Sequence, residues 1–305
     1  MSKRIHVVVN PAAGQPQPIL SVLNRVFNEF GVRWDVDVTH EAGDGLRLAR
    51  AAVEAGAEIV AAYGGDGTIM EVANGLMGTD VPLAILPGGT GDVFSIELGI
   101  PQPLEEAVRL ACSDQGEVRR VDVGQTGDRY FLLRLATGFT ARQIQGVTRE
   151  LRDQYGKFAY FLGALQALPQ AGPVRFGFLL DGQEEVEFEG VTCIVANAGR
   201  LGISDFTLAP DIDVSDGLLD VFAVRGFDLG ALGSVAASIA ALNVNPENMG
   251  HWRAREVTIR ADPVQPVVVD GEDCGETPVR VQLHHQALHV IVPAGAEVVE
   301  GEGAR

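Results

Sequence analysis

Two short glycine runs carry the residues best suited to chemistry in this sequence. Gly64-Gly65-Asp66-Gly67-Thr68 follows a stretch of strand character and opens a helical one. At such a junction backbone N–H groups point outward and the helix dipole favours an anion, so a phosphate would fit there. The glycines permit positive φ and close backbone approach, while Asp66 adds a hard oxygen of the kind that binds Mg2+ bridging phosphate oxygens. Gly88-Gly89-Thr90-Gly91 repeats the arrangement at the end of the next strand, with the Thr90 hydroxyl as a phosphate donor. Either loop alone reads more readily as an ordinary tight connection. Two at neighbouring strand ends, one with an acid inside, shift the balance toward a nucleotide. No G-x-x-x-x-G-K-[ST] occurs, and neither Lys3 nor Lys157 lies near a glycine run, which excludes a P-loop NTPase. The first strand ends in Asn10-Pro11-Ala12-Ala13-Gly14, which is not the G-x-G-x-x-G of a dinucleotide fold.

The elements that must hold these loops follow from periodicity. Strand character at Ile5–Val9, Trp34–Thr39, Glu58–Tyr63 and Leu83–Leu86 alternates with helical character near Ile19–Phe30, Asp44–Ala55 and Thr68–Leu76, with Gly31 and Gly56 as left-handed helix stops. This βαβα alternation predicts a mainly parallel, Rossmann-like sheet with helices on both faces, and ligands on such sheets sit beyond the carboxyl ends of the strands. After about residue 117 short runs predominate: Val118–Val123, Tyr130–Leu135, Val174–Leu180, Val186–Phe188, Val191–Asn197, Leu218–Val224, Glu256–Ala261, Pro266–Val269, Val279–Leu283 and Ala287–Val292, separated by Gly, Asp, Asn and Pro. They predict a β-sandwich or open barrel interrupted by helical insertions near Gln143–Leu168 and Leu229–Asn243. The expected division is an α/β nucleotide-binding domain over 1–117, a β-sandwich over 118–293 and a mobile tail over 294–305.

Composition narrows the function classes. The 305 residues carry 23 Lys+Arg against 41 Asp+Glu, a net charge of −18, with 46% hydrophobic and 21% charged residues. That is a globular composition with enough apolar residues for a sizeable core. A pI near 4.6 argues against non-specific nucleic-acid binding and against electrostatic attachment to anionic lipid. With two lysines in the chain, any phosphate-binding cation is expected to be an arginine. Cys112, Cys193 and Cys274 show no CxxC pattern and read as thiols in a reducing compartment. MSKRIHVVVN lacks an apolar stretch of signal-peptide length, so secretion is not expected. The uncharged run between Asp228 and Glu247 is too polar for a membrane span. Zinc is not expected from His6, His40, His251, His284, His285 and His289, which form no HExxH; the one i,i+4 pair, His285 and His289, lies in the last runs of strand character.

Taken together, NPAAG at Asn10–Gly14, YGGDGTIMEVANGL at Tyr63–Leu76 and LPGGTGDVFSIELGIP at Leu86–Pro101 resemble the diacylglycerol kinase catalytic domain family, which includes sphingosine kinases and soluble bacterial lipid kinases. The likeness continues in order through VDVG at Val121–Gly124, YFLLRLATGF at Tyr130–Phe139, SDGLLDVF at Ser215–Phe222 and VDGEDCGETPV at Val269–Val279. The resemblance implies an α/β domain of NAD kinase/diacylglycerol kinase type plus a C-terminal β-sandwich, with the active site in the cleft between them. It implies ATP-dependent, Mg2+-dependent phosphorylation of a hydroxyl on a diacylglycerol-like or related lipid. ATP would contact Asn10, Thr39, Gly64, Gly65, Asp66, Gly67, Thr68 and Thr90. Asp216 with the carbonyls of Leu219 and Val221 would form a structural Mg2+ site, for which the local alternative is a hairpin turn. Glu272 would act as the base that accepts the hydroxyl proton, the alternative being an acidic hairpin made for solubility. Glu71 would hold the loop or a metal-bound water, or be a solvated helix residue, and Asp122 could join an acidic surround. The lipid would be met at a membrane surface by a cytoplasmic protein in transient contact with it. Met70, Asp92, Val93 and Thr140 depart from the family pattern. A non-catalytic nucleotide- or lipid-binding protein of the same fold and a kinase of a soluble small molecule are the competing readings.

Overall fold

Strands buried at every position need cover on both faces, and the apolar runs of β3 (Ile59–Gly64) and β4 (Leu83–Pro87) are of that kind. The computed structural model describes residues 3–14, 17–138, 141, 173–200, 208–209, 211–225 and 249–295. These fall in two compact units, one drawn from Met1–Asp122 with Gln286–Glu300, the other from Val123–His285.

In the first unit β1 (Arg4–Val9) lies between β3 and the edge strand β2 (Arg33–Val38), and β4 follows β3, every pairing parallel. The end of the last strand, β16 (Val279–Pro293), adds parallel to β4 at Val290 and Leu83. Helices α1 (Ile19–Glu29), α2 (Asp44–Glu54), α3 (Asp66–Leu76), α4 (Val93–Glu97) and α5 (Leu104–Cys112) complete the unit. Gly31 and Gly56 stop α1 and α2 with φ of 64° and 82°, as their positions predict. The helices bury one apolar stripe each, Leu23, Val26 and Phe27 in α1 for example.

The second unit pairs its strands antiparallel. One sheet runs β12 (Met249–Ala254), β11 (Leu219–Val224), β10 (Thr192–Ala196), β7 (Arg134–Gly138), β14 (Pro266–Val269), β15 (Glu272–Glu276). The other contains the start of β16, then β13 (Glu256–Asp262), β8 (Val174–Leu180) and β9 (Glu184–Gly190). Trp252 of the first sheet packs between Phe178 and Phe188 of the second, with ring centroids 5.4 and 5.9 Å away, so the two sheets form a sandwich.

Several boundaries differ from the sequence reading. Tyr130–Leu135 is not one strand: β6 (Arg129–Phe131), paired with β5 (Gly116–Thr126), ends before β7 begins. The intervening Leu132-Leu133 gives its N–H groups to Asp270 and its carbonyls to Asn197 and Ala198. Val279–Leu283 and Ala287–Val292 are one strand, β16, with Gln286 at φ 50° inside it. Its final residues group with the first unit because they extend the parallel sheet. β12 and β15 were not expected, since MGHWRA and EDCGE lack the β-branched runs that mark strands. The helical insertions expected near 143–168 and 229–243, and residues 296–305 of the tail, lie outside the described residues.

Candidate active site

Three loops of the first unit meet through main chain. Asn10 follows β1 and continues its ladder, its N–H donating to the Tyr63 carbonyl at 2.9 Å. Its side chain accepts from the Ala12 N–H at 3.0 Å and donates to Thr68 Oγ1 at 2.9 Å, which ties the first loop to the second. A methyl group placed on Gly64 would lie 2.5 Å from that Thr68 hydroxyl, and one on Gly89 2.5 Å from Gly65 Cα. Gly14, at φ 58°, abuts the Gly88 carbonyl just as closely. Gly64, Gly65, Gly67, Gly88, Gly89 and Gly91 are not among the residues at positive φ. Close approach at Gly64, Gly88 and Gly89, and not left-handed backbone, is therefore what these runs require. No side chain caps the start of α3. The first intrahelical bond is from the Ile69 N–H to the Gly65 carbonyl at 3.1 Å, so the amides of Gly67 and Thr68 lie in the first turn, ahead of the helical ladder, where a helix start favours an anion. Thr90 is exposed beside them, and Thr39 is held at the end of β2 by its N–H to the Val9 carbonyl at 2.9 Å.

The acids of this region bind main chain. Asp66 Oδ1 accepts from the Phe94 N–H at 3.1 Å, linking the glycine loop to α4. Both oxygens of Asp92, a residue at φ 43°, accept from the Gly89 N–H at 3.0 and 3.1 Å. Val93 is buried and fills the core beneath α4. Glu71 accepts from the N–H groups of Gly43 and Gly45 at 2.8 and 2.9 Å, so it holds the loop that follows β2. Asp44 accepts from the N–H groups of His40 and Glu41 and pairs with Arg47 at 2.6 Å. The His40 N–H, then Arg47, hold its carboxyl down at about 2.

In the second unit Asp216 sits in a turn, its Oδ1 accepting from the Leu218 N–H at 2.9 Å. Burial, then the neighbouring Asp220 and Asp213, push its carboxyl up. Asp220 is buried and bound by His251 at 2.6 Å and Arg253 at 3.0 Å. The Asp213 and Asp220 carboxylates add negative charge near Asp216. The Leu219 and Val221 carbonyls belong to a strand paired on both sides, so Val221 in particular could offer little beyond a second lone pair. Asp270 and Gly271, at φ 46° and 92°, form the two-residue turn between β14 and β15, flanked by the pair Val269 and Glu272. Glu272 opens β15 with its side chain 74% exposed, 3.4 Å from Arg129. Among the described residues no three His, Cys, Asp or Glu side chains are grouped to hold a metal.

Residues 4–126 match the model of the diacylglycerol kinase catalytic domain, and residues 134–292 match that of the YegS C-terminal NAD kinase beta sandwich-like domain. The chain belongs to the diacylglycerol kinase family. It is 34% identical to a protein of Chromohalobacter salexigens named "Probable lipid kinase YegS-like", over 96% of this chain and 94% of that one. It is 27% identical to a protein of Bacillus subtilis named diacylglycerol kinase, over 95% and 97% of the two chains. Among solved structures, one described as a candidate diacylglycerol kinase from Bacillus anthracis superposes with a TM-score of 0.82 at 26% identity, covering 97% of each chain. The family is one of kinases acting on the alcohol group of a lipid, and the α/β unit followed by a sandwich is its fold.

Within this family member the structure brings together Asn10, the Gly64–Thr68 loop and the Gly88–Gly91 loop. Asp216 and Glu272 belong to the other unit and lie at separate turns of it. Asp44 and Asp270 escaped the sequence reading as main-chain acceptors. The signal for Asp270 was the Asp-Gly pair itself, whose side chain bonds across 136 to 138 residues of chain to a segment no local pattern points to.

Proposed function

We propose that this protein is an ATP-dependent lipid kinase that phosphorylates a hydroxyl of a diacylglycerol-like lipid and requires Mg2+. The observation that carries the reading is the pair of glycine loops locked backbone to backbone at the uncapped start of α3, in a chain of the diacylglycerol kinase family. Those amides suit phosphate oxygens by geometry and by the helix dipole. Asn10, Thr39, Gly64, Gly65, Gly67, Thr68 and Thr90 would line the nucleotide, and Asn10 would keep Thr68 oriented through their hydrogen bond. Asp66, whose carboxylate also accepts from the Phe94 N–H, would hold the Mg2+ that neutralises charge on the phosphates. A second cation at Asp216 would be structural, with the Leu219 and Val221 carbonyls as weaker partners.

Phosphoryl transfer leaves the protein mainly with positioning and one proton to move. As the lipid oxygen bonds to the γ-phosphorus and the bond to the ADP oxygen breaks, Glu272 would accept the hydroxyl proton. Among the described residues no helix is long and apolar enough to cross a membrane, and the lipid is proposed to be met at a membrane surface from the cytoplasm.

Thin-layer separation of radiolabelled products from a panel of lipids with ATP and Mg2+ tests the reading. A labelled lipid is expected. A water-soluble labelled product would point to a soluble acceptor, and nucleotide binding without transfer to a non-catalytic protein; either overturns it.

A further inference from the structure

Asp270 stands next to the proposed base and makes an arrangement that the reaction scheme leaves unused. Its carboxylate accepts N–H groups from three consecutive residues: Leu132 at 3.0 Å, Leu133 at 3.2 and 3.3 Å, and Arg134 at 2.7 Å. Its own N–H donates back to the Arg134 carbonyl at 3.0 Å. The segment it grips is itself anchored from the other side. Asn197 donates its side-chain amide to the Leu132 carbonyl and its N–H to the Leu133 carbonyl, both at 2.9 Å.

The turn needs such a grip. Asp270 is a non-glycine residue at positive φ, a conformation that costs energy and persists where surroundings impose it. Among the described residues β15 pairs only with β14, so the described ladder fixes one side alone. Glu272 begins that strand, mostly exposed, and pairs with Arg129 at 3.4 Å, a pair too solvated to fix a side chain. Where the Glu272 carboxylate stands is therefore set by where the turn stands.

We propose that Asp270 is the positioning residue for Glu272, its carboxylate fastening the β14–β15 turn to the Leu132–Arg134 segment so that the neighbouring carboxylate is presented in one place. The inference rests on the reading of Glu272 as the base. The charge facing Asp270 is the Arg134 guanidinium; burial outweighs it and the three donors and pushes the Asp270 carboxyl up to about 6. A protonated carboxyl is a poorer acceptor, so the clamp loosens in mild acid.

A double-mutant cycle on the full-length protein with lipid and MgATP tests this. Asp270→Asn keeps the shape with one acceptor oxygen in place of two. It should lower kcat by about 10- to 100-fold with the KM for ATP within about twofold, and should cause no further loss in a Glu272→Gln background. Equal loss of kcat in both backgrounds, or a loss confined to KM, would overturn the inference while leaving Glu272 as the base. Full turnover in Glu272→Gln alone would overturn both. Should Asp270→Asn not fold, Gly271→Ala serves in the same cycle, since it strains a turn at φ 92° where an added methyl meets nothing within 4 Å. In the wild type, amide-exchange protection of Leu132, Leu133 and Arg134, corrected for intrinsic rates, should fall as pH drops through about 6. Constant protection would mean the carboxylate is not the acceptor that matters.

Discussion

Gly89→Ala asks whether the two glycine runs are joined by main-chain contact. A methyl at Gly89 would lie 2.5 Å from Gly65 Cα and 2.7 Å from Asp92 Oδ1. Carbon atoms rest about 3.5–4.0 Å apart, so the loops must part by roughly 1 Å. Asp92 can swing away only by giving up its bonds to the Gly89 N–H, and Gly65 Cα, being backbone, cannot swing at all. Overpacking of this kind costs about 1–3 kcal/mol, which at roughly 2–4 °C per kcal/mol lowers the melting temperature by about 2–12 °C. Gly67→Ala is the matched control. Its methyl would meet nothing within 4 Å, its φ is not left-handed, and it lies in the first turn of α3. Alanine exceeds glycine there by up to about 1 kcal/mol, so the variant should melt unchanged or slightly higher. Thermal denaturation and steady-state kinetics on both variants read the result: Gly89→Ala should also raise the KM for ATP by about tenfold, a loss on the order of 1.4 kcal/mol of binding. Wild-type stability and KM in Gly89→Ala, or marked destabilisation in Gly67→Ala, would refute the packing argument.

Asp66→Asn keeps an oxygen to accept from the Phe94 N–H, so it should fold normally yet lose turnover by orders of magnitude; near wild-type rates in the folded variant would remove Asp66 from the nucleotide site. Mg2+ should raise the melting temperature of the wild type, and Asp216→Ala should largely abolish that rise; an equal response would place the ion elsewhere. Glu272→Gln should lose about 10²–10⁴-fold in rate with little change in ATP affinity, while Asp273→Asn and Glu276→Gln stay within several-fold of wild type; full turnover in Glu272→Gln sinks the base assignment. Asp44 has a folded-state carboxyl held down at about 2 against an ordinary 3.8, so its contribution to stability is present above about pH 4 and is lost as pH falls toward 2. Asp44→Asn should flatten that part of the pH–stability curve measured by thermal melts, and an unchanged acid limb would contradict it.

How much was legible depends on whether the cause is local. The βαβα half declares itself because β3 and β4 are closed apolar runs and because α1 and α2 end at glycines, Gly31 and Gly56, with the φ that their positions demand. The sandwich was legible as a class, but its edges were not. β15 can be acidic because its residues are mostly exposed, and β12 is a strand because Trp252 has two aromatic partners across the sandwich. The break between β6 and β7 is made by Asp270 and Asn197, residues far along the chain that take the main-chain groups a continuous strand would use. The glycine loops were found for a reason half right: close approach is used and positive φ is not.

The same bookkeeping of partners explains how so acidic a chain can present a phosphate site. With a net charge of −18 and two lysines, a cradle lined by free carboxylates would repel the anion it has to receive. Asp66, Glu71 and Asp92 instead accept main-chain N–H groups of their own or adjoining loops. Each such bond rigidifies a glycine-rich turn, and each places negative charge near the amides at the start of α3. Those amides carry only partial positive charge, about half an elementary charge for a whole helix terminus. On the proposed reading the balance must come from outside the chain, which is why a divalent cation is required for the nucleotide to enter, and why binding of ATP without Mg2+ should be far weaker than binding of the complex.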